Sequence, residues 1–310
     1  MKKTEFENVV IAGAGLMGAS IAQAFQKEGF QTSIYCNIEE PFERARTIIS
    51  NCQKTLVENK VLTKEESELI QSGIIYTTDT ACFKNADLVI EAIPEVFEIK
   101  RQLFEIISEI LPESSVIATN TSAISVNDLS KYVKNPERFC GTHWLNPAHI
   151  IPLVEIVKSD VTAEWVVEAL NNLFIGMGKQ PVVLKKDVKG FLSNRLQFAL
   201  LREASYLVES GVATPDDIDR TLKYGNGLRY MCSGPFKIVD MGGIEVFNNV
   251  AKYLYPDLCN NREKNSLLEE MVEKGNNGIS TGKGFYTYDR NSALEEELIR
   301  DYKMLKALEI

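Results

Sequence analysis

The sequence predicts an α/β fold in which a mostly parallel β-sheet, covered by helices on both faces, is followed by an all-α C-terminal domain. Short apolar runs alternate with amphipathic stretches along the first part of the chain. Several of these runs are continuously apolar, which is typical of strands that are buried on both faces of a sheet. After about residue 187 the strand pattern stops. For a chain of 310 residues we therefore expect two domains, residues 1–187 and 188–310.

The first predicted elements form a βαβ unit. Residues 9–12 (VVIA) are a short apolar strand, LMGASIAQAFQKEG is a helix that stops at Gly29, and FQTSIYC is the second strand. The later predicted strands are GIIYTT (73–78), ADLVIEAI (86–93), SSVIATN (114–120), RFCGTHW (138–144), PLVEIV (152–157) and QPVVL (180–184). Residues 39–72 are predicted as two helices in a long insertion, and residues 191–211 as the first helix of the second domain.

Composition and charge exclude several classes of partner. The net charge is −9 and the pI is about 5.1, so we expect no nucleic acid. No segment approaches the roughly 18 apolar residues of a membrane span, so we expect no membrane contact. The six cysteines are scattered without a C-x-x-C pair, which predicts neither a zinc cluster nor a disulfide framework. These features together predict a cytoplasmic protein that acts on a small molecule.

The sequence NVVIAGAGLMGAS carries a glycine motif between the first strand and the first helix. Its G-x-G-x-x-G spacing is weak evidence alone, but within a βαβ unit it indicates a dinucleotide site. The first glycine permits a tight turn, the second lets a pyrophosphate approach the helix N-terminus, and the third allows the helix to pack on the sheet. The candidate cofactor-binding residues of this turn are Gly13, Gly15, Leu16, Met17 and Gly18.

The end of the second strand departs from the usual NAD pattern. An Asp or Glu normally stands there to accept hydrogen bonds from the adenosine ribose. In this chain Cys36 and Asn37 occupy that position, and the nearest acid is Glu39. Asn37 is still able to bind a hydroxyl, and no arginine follows the strand directly, so we expect NAD. Arg44 and Arg46 lie further along the chain and leave NADP open.

The stretch GTHWLNPAHIIPLVEIV contains both histidines of the chain. His143 and His149 are six residues apart with a proline between them, which does not fit a helical metal site, so we expect no metal. Glu155 lies in an otherwise apolar strand and needs a partner, because an unpaired buried carboxylate costs several kcal/mol. His143 at the end of the neighbouring strand is one such partner and would then be a general base. Two structural histidines, or a Glu155 paired with Lys or Arg, are the alternatives.

Motifs along nearly the whole chain resemble the L-3-hydroxyacyl-CoA dehydrogenase family. They are GAGLMGASIAQAF, ADLVIEAIPE, ATNTSAIS, GTHWLNPAHIIPLVEIV, KGFLSNRL, SGPF and STGKGFYTY, in the order of the family and at about its spacing. The resemblance implies a Rossmann-type NAD domain, an α-helical domain that carries most of a homodimer contact, and NAD-dependent oxidation of a 3-hydroxyl group.

The resemblance also implies roles for individual residues. His143 would be the catalytic base and Glu155 the carboxylate that orients it. Ser122 and Asn194 would bind the reacting oxygen of the substrate, with Asn194 reaching the site from the second domain. Each residue has a structural alternative, such as a turn residue for Ser122 or a polar helix face for Asn194.

On the cofactor side, the resemblance implies contacts from three further residues. Glu95 and Lys100 would lie near the NAD ribose, and Asn120 is a further candidate cofactor-binding residue. A solvated pair on a helix is the alternative for Glu95 and Lys100.

The substrate is the open question of the sequence. The resemblance favours a short-chain 3-hydroxyacyl-CoA, the substrate of 3-hydroxybutyryl-CoA dehydrogenases. The same motifs also resemble a branch that oxidises free 3-hydroxy acids, represented by L-gulonate dehydrogenase, its lens-crystallin relative and carnitine dehydrogenase. A CoA thioester needs basic residues for its phosphates, for which Lys54, Lys60 and Lys64 are candidates, although they equally fit a solvated helix face. A non-catalytic NAD(H)-binding protein is a third possibility.

Overall fold

A computed structural model describes residues 6–289 and 293–308. The chain forms two compact units. Unit 1 contains residues up to 194 together with residues from 297 onward, and unit 2 contains residues 195–296. Unit 1 carries the sheet, and the described part of unit 2 is helical. The predicted fold class, a mostly parallel sheet domain followed by a helical one, is therefore confirmed.

The sheet of unit 1 has eight strands within the described residues, in the order β3-β2-β1-β4-β5-β6-β7-β8. Neighbouring strands are parallel except for β6 and β7, which are antiparallel. The strands are β1 (Asn8–Ala12), β2 (Gln31–Tyr35), β3 (Ile75–Thr77), β4 (Leu88–Glu91), β5 (Val116–Thr119), β6 (Phe139–Trp144), β7 (Leu153–Lys158) and β8 (Gln180–Leu184). The carboxyl ends of β1, β4, β5 and β6 therefore share one edge of the sheet, and β7 begins at that same edge.

Helices cover both faces of this sheet. Those of unit 1 are α1 (Leu16–Lys27), α2 (Pro41–Glu58), α3 (Lys64–Gly73), α4 (Phe97–Ile110), α5 (Val126–Ser130) and α6 (Glu164–Gly176). Buried apolar side chains form two large clusters, one of which contains side chains of α1, α2 and α6 and the other side chains of α4 and α5. Because both faces of the central strands are buried, strands β4 and β5 are fully apolar apart from a terminal Glu91 and Thr119.

Unit 2 is built from short helices that follow a long one. The long helix α7 (Ser193–Glu209) begins in unit 1 and continues into unit 2. The others are α8 (Pro215–Thr221), a π-helical turn (Leu222–Asn226), α9 (Gly227–Cys232), α10 (Pro235–Gly242), α11 (Ile244–Leu254) and α12 (Ser266–Glu273). The glycine-rich stretch 225–243 is thus largely helical. Among residues 195–289 and 295–296, only Ser205 is buried.

The last helix is divided between the two units. Helix α13 (Ala293–Ala307) was assigned by sequence to the second domain, but from Glu297 onward it clusters with unit 1. The physical reason is an apolar cluster in which Leu305 of α13 packs with Leu56, Leu62 and Ile150. The boundary between the units also lies at residue 194, a few residues later than expected. None of the described helices is both long enough and apolar enough to cross a bilayer.

Candidate active site

The glycine turn has the geometry of a phosphate cradle. Gly13 has φ +125°, and a Cβ on it would lie 2.4 Å from the Ala92 carbonyl oxygen. A Cβ on Gly18 would lie 2.0 Å from the Gly13 carbonyl oxygen, so both positions exclude side chains. A Cβ on Gly15 would meet nothing within 4 Å. Gly15 caps α1 without a side-chain hydrogen bond, which leaves the first amides of the helix open to an anion.

The neighbouring residues of this turn fit the same interpretation. Leu16 and Met17, the first two residues of α1, are partly exposed beside the open Gly15, whereas Gly18 is buried. At the end of β2, Asn37 is exposed and burial raises the pKa of the Cys36 thiol, so the ribose position presents an amide and a neutral thiol. These residues fit a dinucleotide whose pyrophosphate lies at the N-terminus of α1.

The antiparallel pairing of β6 and β7 brings His143 and Glu155 together. The two residues are direct register partners, and His143 Nδ1 lies 2.7 Å from Glu155 Oε2. Their side chains are only 4% and 1% exposed. This is the contact on which the sequence-based hypothesis of a histidine base depended, and twelve residues of chain separate its two members.

Two backbone amides donate hydrogen bonds to the other oxygen of the Glu155 carboxylate. Glu155 Oε1 accepts hydrogen bonds from Leu192 N at 2.8 Å and Ser193 N at 3.0 Å. Burial raises the pKa of Glu155, but the hydrogen bonds from His143 and from these amides outweigh it, and the net pKa is lowered. Because an ionised carboxylate only accepts hydrogen bonds, Nδ1 of His143 carries a proton, and in the neutral imidazole the lone pair is then on Nε2.

Ser122 lies on the other side of the imidazole. Its hydroxyl oxygen is 3.1 Å from His143 Nε2, and the residue is exposed. Asn120, two residues earlier, is nearly buried, and its Oδ1 accepts a hydrogen bond from Trp144 N at 2.9 Å. That bond ties the end of β5 to the end of β6. Asn194 is partly exposed, is the last residue of unit 1, and directly follows Ser193.

Sequence reasoning missed the segment that precedes α7. Phe191 is buried in the left-handed region with φ +49°, and its ring centroid lies 5.3 Å from that of His143. Gly190, with φ +76°, and Phe191 together turn the chain so that the next two amides point at Glu155. The only sequence signal was a glycine before the helix in KGFLSNRL, and nothing in that pattern indicates where the amides point.

Glu95 and Lys100 form an ion pair in which Lys100 Nζ is 3.0 Å from Glu95 Oε2. The Lys100 side chain is 1% exposed and also lies 2.5 Å from Glu91 Oε1, so the alternative of a solvated pair does not apply to Lys100. The cofactor contact expected of Lys100 stays a prediction, and its ammonium group lies between two carboxylates of the protein. The Glu95 side chain remains 38% exposed.

His149 has different surroundings from His143. Its Nδ1 lies 3.0 Å from Ser20 Oγ, and it lines a cavity of about 280 Å³ with Gln23, Gln53 and Lys179. Burial, with the charges of Lys179 and Arg300, lowers the pKa of His149 to about 3. His149 is therefore a neutral structural residue. Across residues 6–289 and 293–308, no cluster of three His, Cys, Asp or Glu side chains has the arrangement of a metal site.

Comparison with protein families matches both parts of the chain. Residues 8–188 match the 3-hydroxyacyl-CoA dehydrogenase NAD-binding domain, and residues 190–288 match the C-terminal domain of the same family. The first unit is thus an NAD-binding domain, and the residues of its glycine turn fit that cofactor.

Two curated relatives are similar over nearly the full length. One is the 5-formyl-3-hydroxy-2-methylpyridine 4-carboxylate 5-dehydrogenase of Mesorhizobium japonicum, 34% identical over 299 residues, covering 94% of this chain and 95% of that protein. The other is the probable 3-hydroxybutyryl-CoA dehydrogenase of Deinococcus radiodurans, 34% identical over 283 residues, covering 90% of this chain and 99% of that protein.

Two solved structures resemble this chain to different degrees. A crystal structure of a 5-dehydrogenase of the same pyridine carboxylic acid, described as an NAD⁺-dependent dismutase, has a TM-score of 0.90 at 32% identity and covers 97% of each chain. The (S)-3-hydroxybutyryl-CoA dehydrogenase of Ralstonia eutropha has a TM-score of 0.75 at 29% identity, covering 92% of this chain and 100% of that one.

Proposed function

Because the chain belongs to the 3-hydroxyacyl-CoA dehydrogenase family, we propose that it is an NAD-dependent dehydrogenase in which His143 is the general base. The observation that carries this proposal is the hydrogen-bonded series from Glu155 through His143 to Ser122. The reaction interconverts a secondary or primary alcohol and the corresponding carbonyl compound. NAD, when bound, takes up or returns the hydride of the reacting carbon.

The residues of the series have distinct tasks in this mechanism. Nε2 of His143 accepts the proton of the substrate hydroxyl during oxidation and returns it to the carbonyl oxygen during reduction. The Glu155 carboxylate stabilises the imidazolium that forms and fixes the ring orientation. The Ser122 hydroxyl donates a hydrogen bond to the same substrate oxygen, and we assign Asn194 to that oxygen by the family resemblance.

Replacement of the base tests this assignment. His143→Ala is expected to lower kcat by about 10²- to 10⁴-fold, the usual contribution of a general base. NADH binding, followed by fluorescence titration, should stay unchanged because no glycine-turn contact is removed. His149→Ala is the matched control, since His149 is held by Ser20 outside the series. A His143→Ala enzyme that turns over at the wild-type rate would contradict the proposal.

For the substrate, we propose a small carboxylic acid without CoA. Two of the three lysines considered for CoA phosphates pair with acids, since Lys54 lies 3.8 Å from Glu58 and Lys64 lies 3.8 Å from Glu68. The insertion that carries them, residues 39–72, holds seven acids and five bases, a net charge of −2 that disfavours a polyphosphate. The high structural similarity to a dehydrogenase of a free pyridine carboxylic acid supports the same conclusion.

Helix α13 adds a second argument about the insertion. The family match ends at residue 288, and the chain continues to residue 310. From residue 297 onward this extension packs with unit 1, where Leu305 contacts the apolar side chains of the insertion. Asp301 is 5% exposed there, and its negative charge contributes to the raised pKa of the Cys52 thiol in α2. From residue 297 onward the extension carries three acids and three bases, so it adds no net positive charge that would favour the phosphates of a CoA substrate.

A substrate panel decides between the classes. NADH oxidation is measured with 5-formyl-3-hydroxy-2-methylpyridine 4-carboxylate, free acetoacetate and acetoacetyl-CoA at equal concentrations. Higher kcat/KM for a free acid supports the proposal, and a large preference for acetoacetyl-CoA overturns it in favour of a short-chain 3-hydroxyacyl-CoA substrate. That second candidate is favoured by the two family matches and by the Deinococcus relative. NADH binding without any turnover would instead indicate a non-catalytic protein.

We also propose that the chain works as a homodimer through unit 2. Large apolar side chains there are highly exposed, which is unusual for a monomer surface. The most exposed are Phe236 (86%), Met241 (74%), Tyr255 (72%), Val212 (71%) and Tyr224 (70%). Sedimentation equilibrium is expected to give a dimer for the wild type and a smaller species for Phe236→Glu. A monomeric wild type would refute this part of the proposal.

A further inference from the structure

Ser122 lies in an irregular segment between β5 and α5, where no ladder or helix fixes its position. Its hydroxyl nevertheless lies 3.1 Å from His143 Nε2. The backbone amides of this segment need hydrogen-bond acceptors, because the residue before Ser122 is buried. The acceptor that they use decides how firmly Ser122 is held.

The carboxylate of Glu95 is that acceptor. Its Oε1 receives hydrogen bonds from Thr121 Oγ1 at 2.5 Å, from Ser122 N at 3.0 Å and from Ala123 N at 3.0 Å. Three consecutive residues of the segment thus donate to one oxygen atom of a residue 26 to 28 positions earlier in the chain. Charge-assisted hydrogen bonds of this kind are about twice as strong as neutral ones.

Lys100 holds Glu95 from the opposite side. Its ammonium group lies 3.0 Å from Glu95 Oε2 and 2.5 Å from Oε1 of Glu91, a residue whose side chain is fully buried. Glu91 in turn accepts hydrogen bonds from Ile93 N at 2.8 Å and from Thr119 Oγ1 at 2.6 Å. The charged side chains of Glu91, Glu95 and Lys100 therefore all have partners at this edge of the sheet.

The charge state of Glu95 agrees with this arrangement. Burial raises its pKa, but the Thr121 hydrogen bond and the Lys100 charge outweigh burial, and the net pKa is lowered. Glu95 is therefore a carboxylate at neutral pH and accepts all three hydrogen bonds.

We propose that Glu95, held by Lys100 and Glu91, is a positioning residue that fixes the Ser122 hydroxyl against His143. We call these three acidic and basic residues the Glu95 clamp. The proposal rests on the proposed function, in which His143 is the base and Ser122 binds the reacting oxygen. It differs from a cofactor role, because a clamp acts on kcat through Ser122, whereas a ribose contact acts on NADH affinity.

A double-mutant cycle separates the two roles. Glu95→Gln is expected to lower kcat by up to about 10²-fold, the cost of misplacing a catalytic group by about 1 Å. The Kd for NADH should stay within about twofold of the wild type. In a Ser122→Ala background, Glu95→Gln should change kcat by less than about threefold, because the group it positions is already absent. Turnover is measured with NADH and the acetoacetyl-CoA or pyridine aldehyde of the panel.

A second readout needs no substrate. Diethyl pyrocarbonate modifies unprotonated imidazole nitrogens, and the chain has only two histidines, so modification at His143 is separable by mass spectrometry. Loss of the Ser122 hydrogen bond should raise the rate at His143 in Glu95→Gln and in Ser122→Ala alike. Glu98→Gln is the matched control, because Glu98 is an exposed acid three residues away that pairs with Arg101. Thermal unfolding establishes that each variant is folded.

If Glu95→Gln does not fold, Glu95→Asp is the substitute variant, because an aspartate can still pair with Lys100. It retains the charge but shortens the side chain by one methylene, which withdraws the carboxylate from the amides of Ser122 and Ala123. The clamp is overturned if these variants weaken NADH binding at unchanged kcat, if their effects multiply with Ser122→Ala, or if His143 is modified at the wild-type rate. An active His143→Ala enzyme would overturn the proposed function instead, so the two failures are distinguishable.

Discussion

The substitution Glu155→Gln tests the electronic part of the site, because it changes one atom of a buried side chain. In the native site Oε1 accepts two backbone hydrogen bonds and Oε2 accepts one from His143 Nδ1. If the new amide nitrogen replaced Oε1, it would face two N–H donors and lose two hydrogen bonds, at about 1 kcal/mol each. If it replaces Oε2, it loses only one. The amide nitrogen is therefore expected to face His143.

That orientation reverses the tautomer of the histidine. An amide N–H pointing at Nδ1 requires a lone pair there, so the single proton of the neutral ring moves to Nε2. A protonated Nε2 is unable to accept the substrate proton. A carboxylate-to-amide change with this effect in a catalytic triad lowers kcat by roughly 10⁴-fold, or about 5.5 kcal/mol of transition-state stabilisation.

The assay is steady-state NAD⁺ reduction with the alcohol form of the preferred substrate of the panel, together with NADH titration and nitrogen NMR of the imidazole. We expect a kcat loss near that magnitude, an unchanged Kd for NADH and a proton on Nε2. Glu164→Gln is the control, because Glu164 is an exposed acid paired with Lys158. A Glu155→Gln enzyme within tenfold of the wild-type kcat, or one with the proton still on Nδ1, would refute the tautomer argument.

Three further outcomes are expected. Gly15→Ala should leave the melting temperature unchanged but weaken NADH binding in a fluorescence titration, since the added methyl group meets no protein atom and fills the cradle; unchanged affinity would contradict the cradle. Gly18→Ala should lower the melting temperature in calorimetry, because its Cβ collides with the Gly13 carbonyl; a stable variant would show that the turn relaxes. The pKa of about 3 for His149 lies below its unfolded value, so its stabilising effect is complete above about pH 6.5 and is lost as pH falls toward 3. Between pH 7 and pH 5 the wild type should lose about 2 kcal/mol more than His149→Gln in urea unfolding, and parallel losses would refute the pKa shift.

Local patterns of the sequence were sufficient for the fold class and for the cofactor turn. The βαβ unit and its glycines are contiguous in the chain, and their conformations follow from local sterics at Gly13 and from packing at Gly18. The pairing of His143 with Glu155 was also predictable as a hypothesis, since an acid in an apolar strand needs a partner on a neighbouring strand. The sequence left open whether that partner was His143 or a Lys or Arg.

Tertiary structure alone decided how the site is held. The amides of Leu192 and Ser193 reach Glu155 from 37 and 38 residues away, because Phe191 takes a left-handed conformation that no local propensity predicts. Lys100 is buried between two carboxylates, which no local pattern of the sequence indicates, and from residue 297 onward α13 clusters with unit 1. The physical reason is the same in each case. The pattern of apolar and charged residues indicates which segments form helices and strands. The partner of a buried polar group is instead fixed by long-range packing, because distant segments meet only in the folded chain.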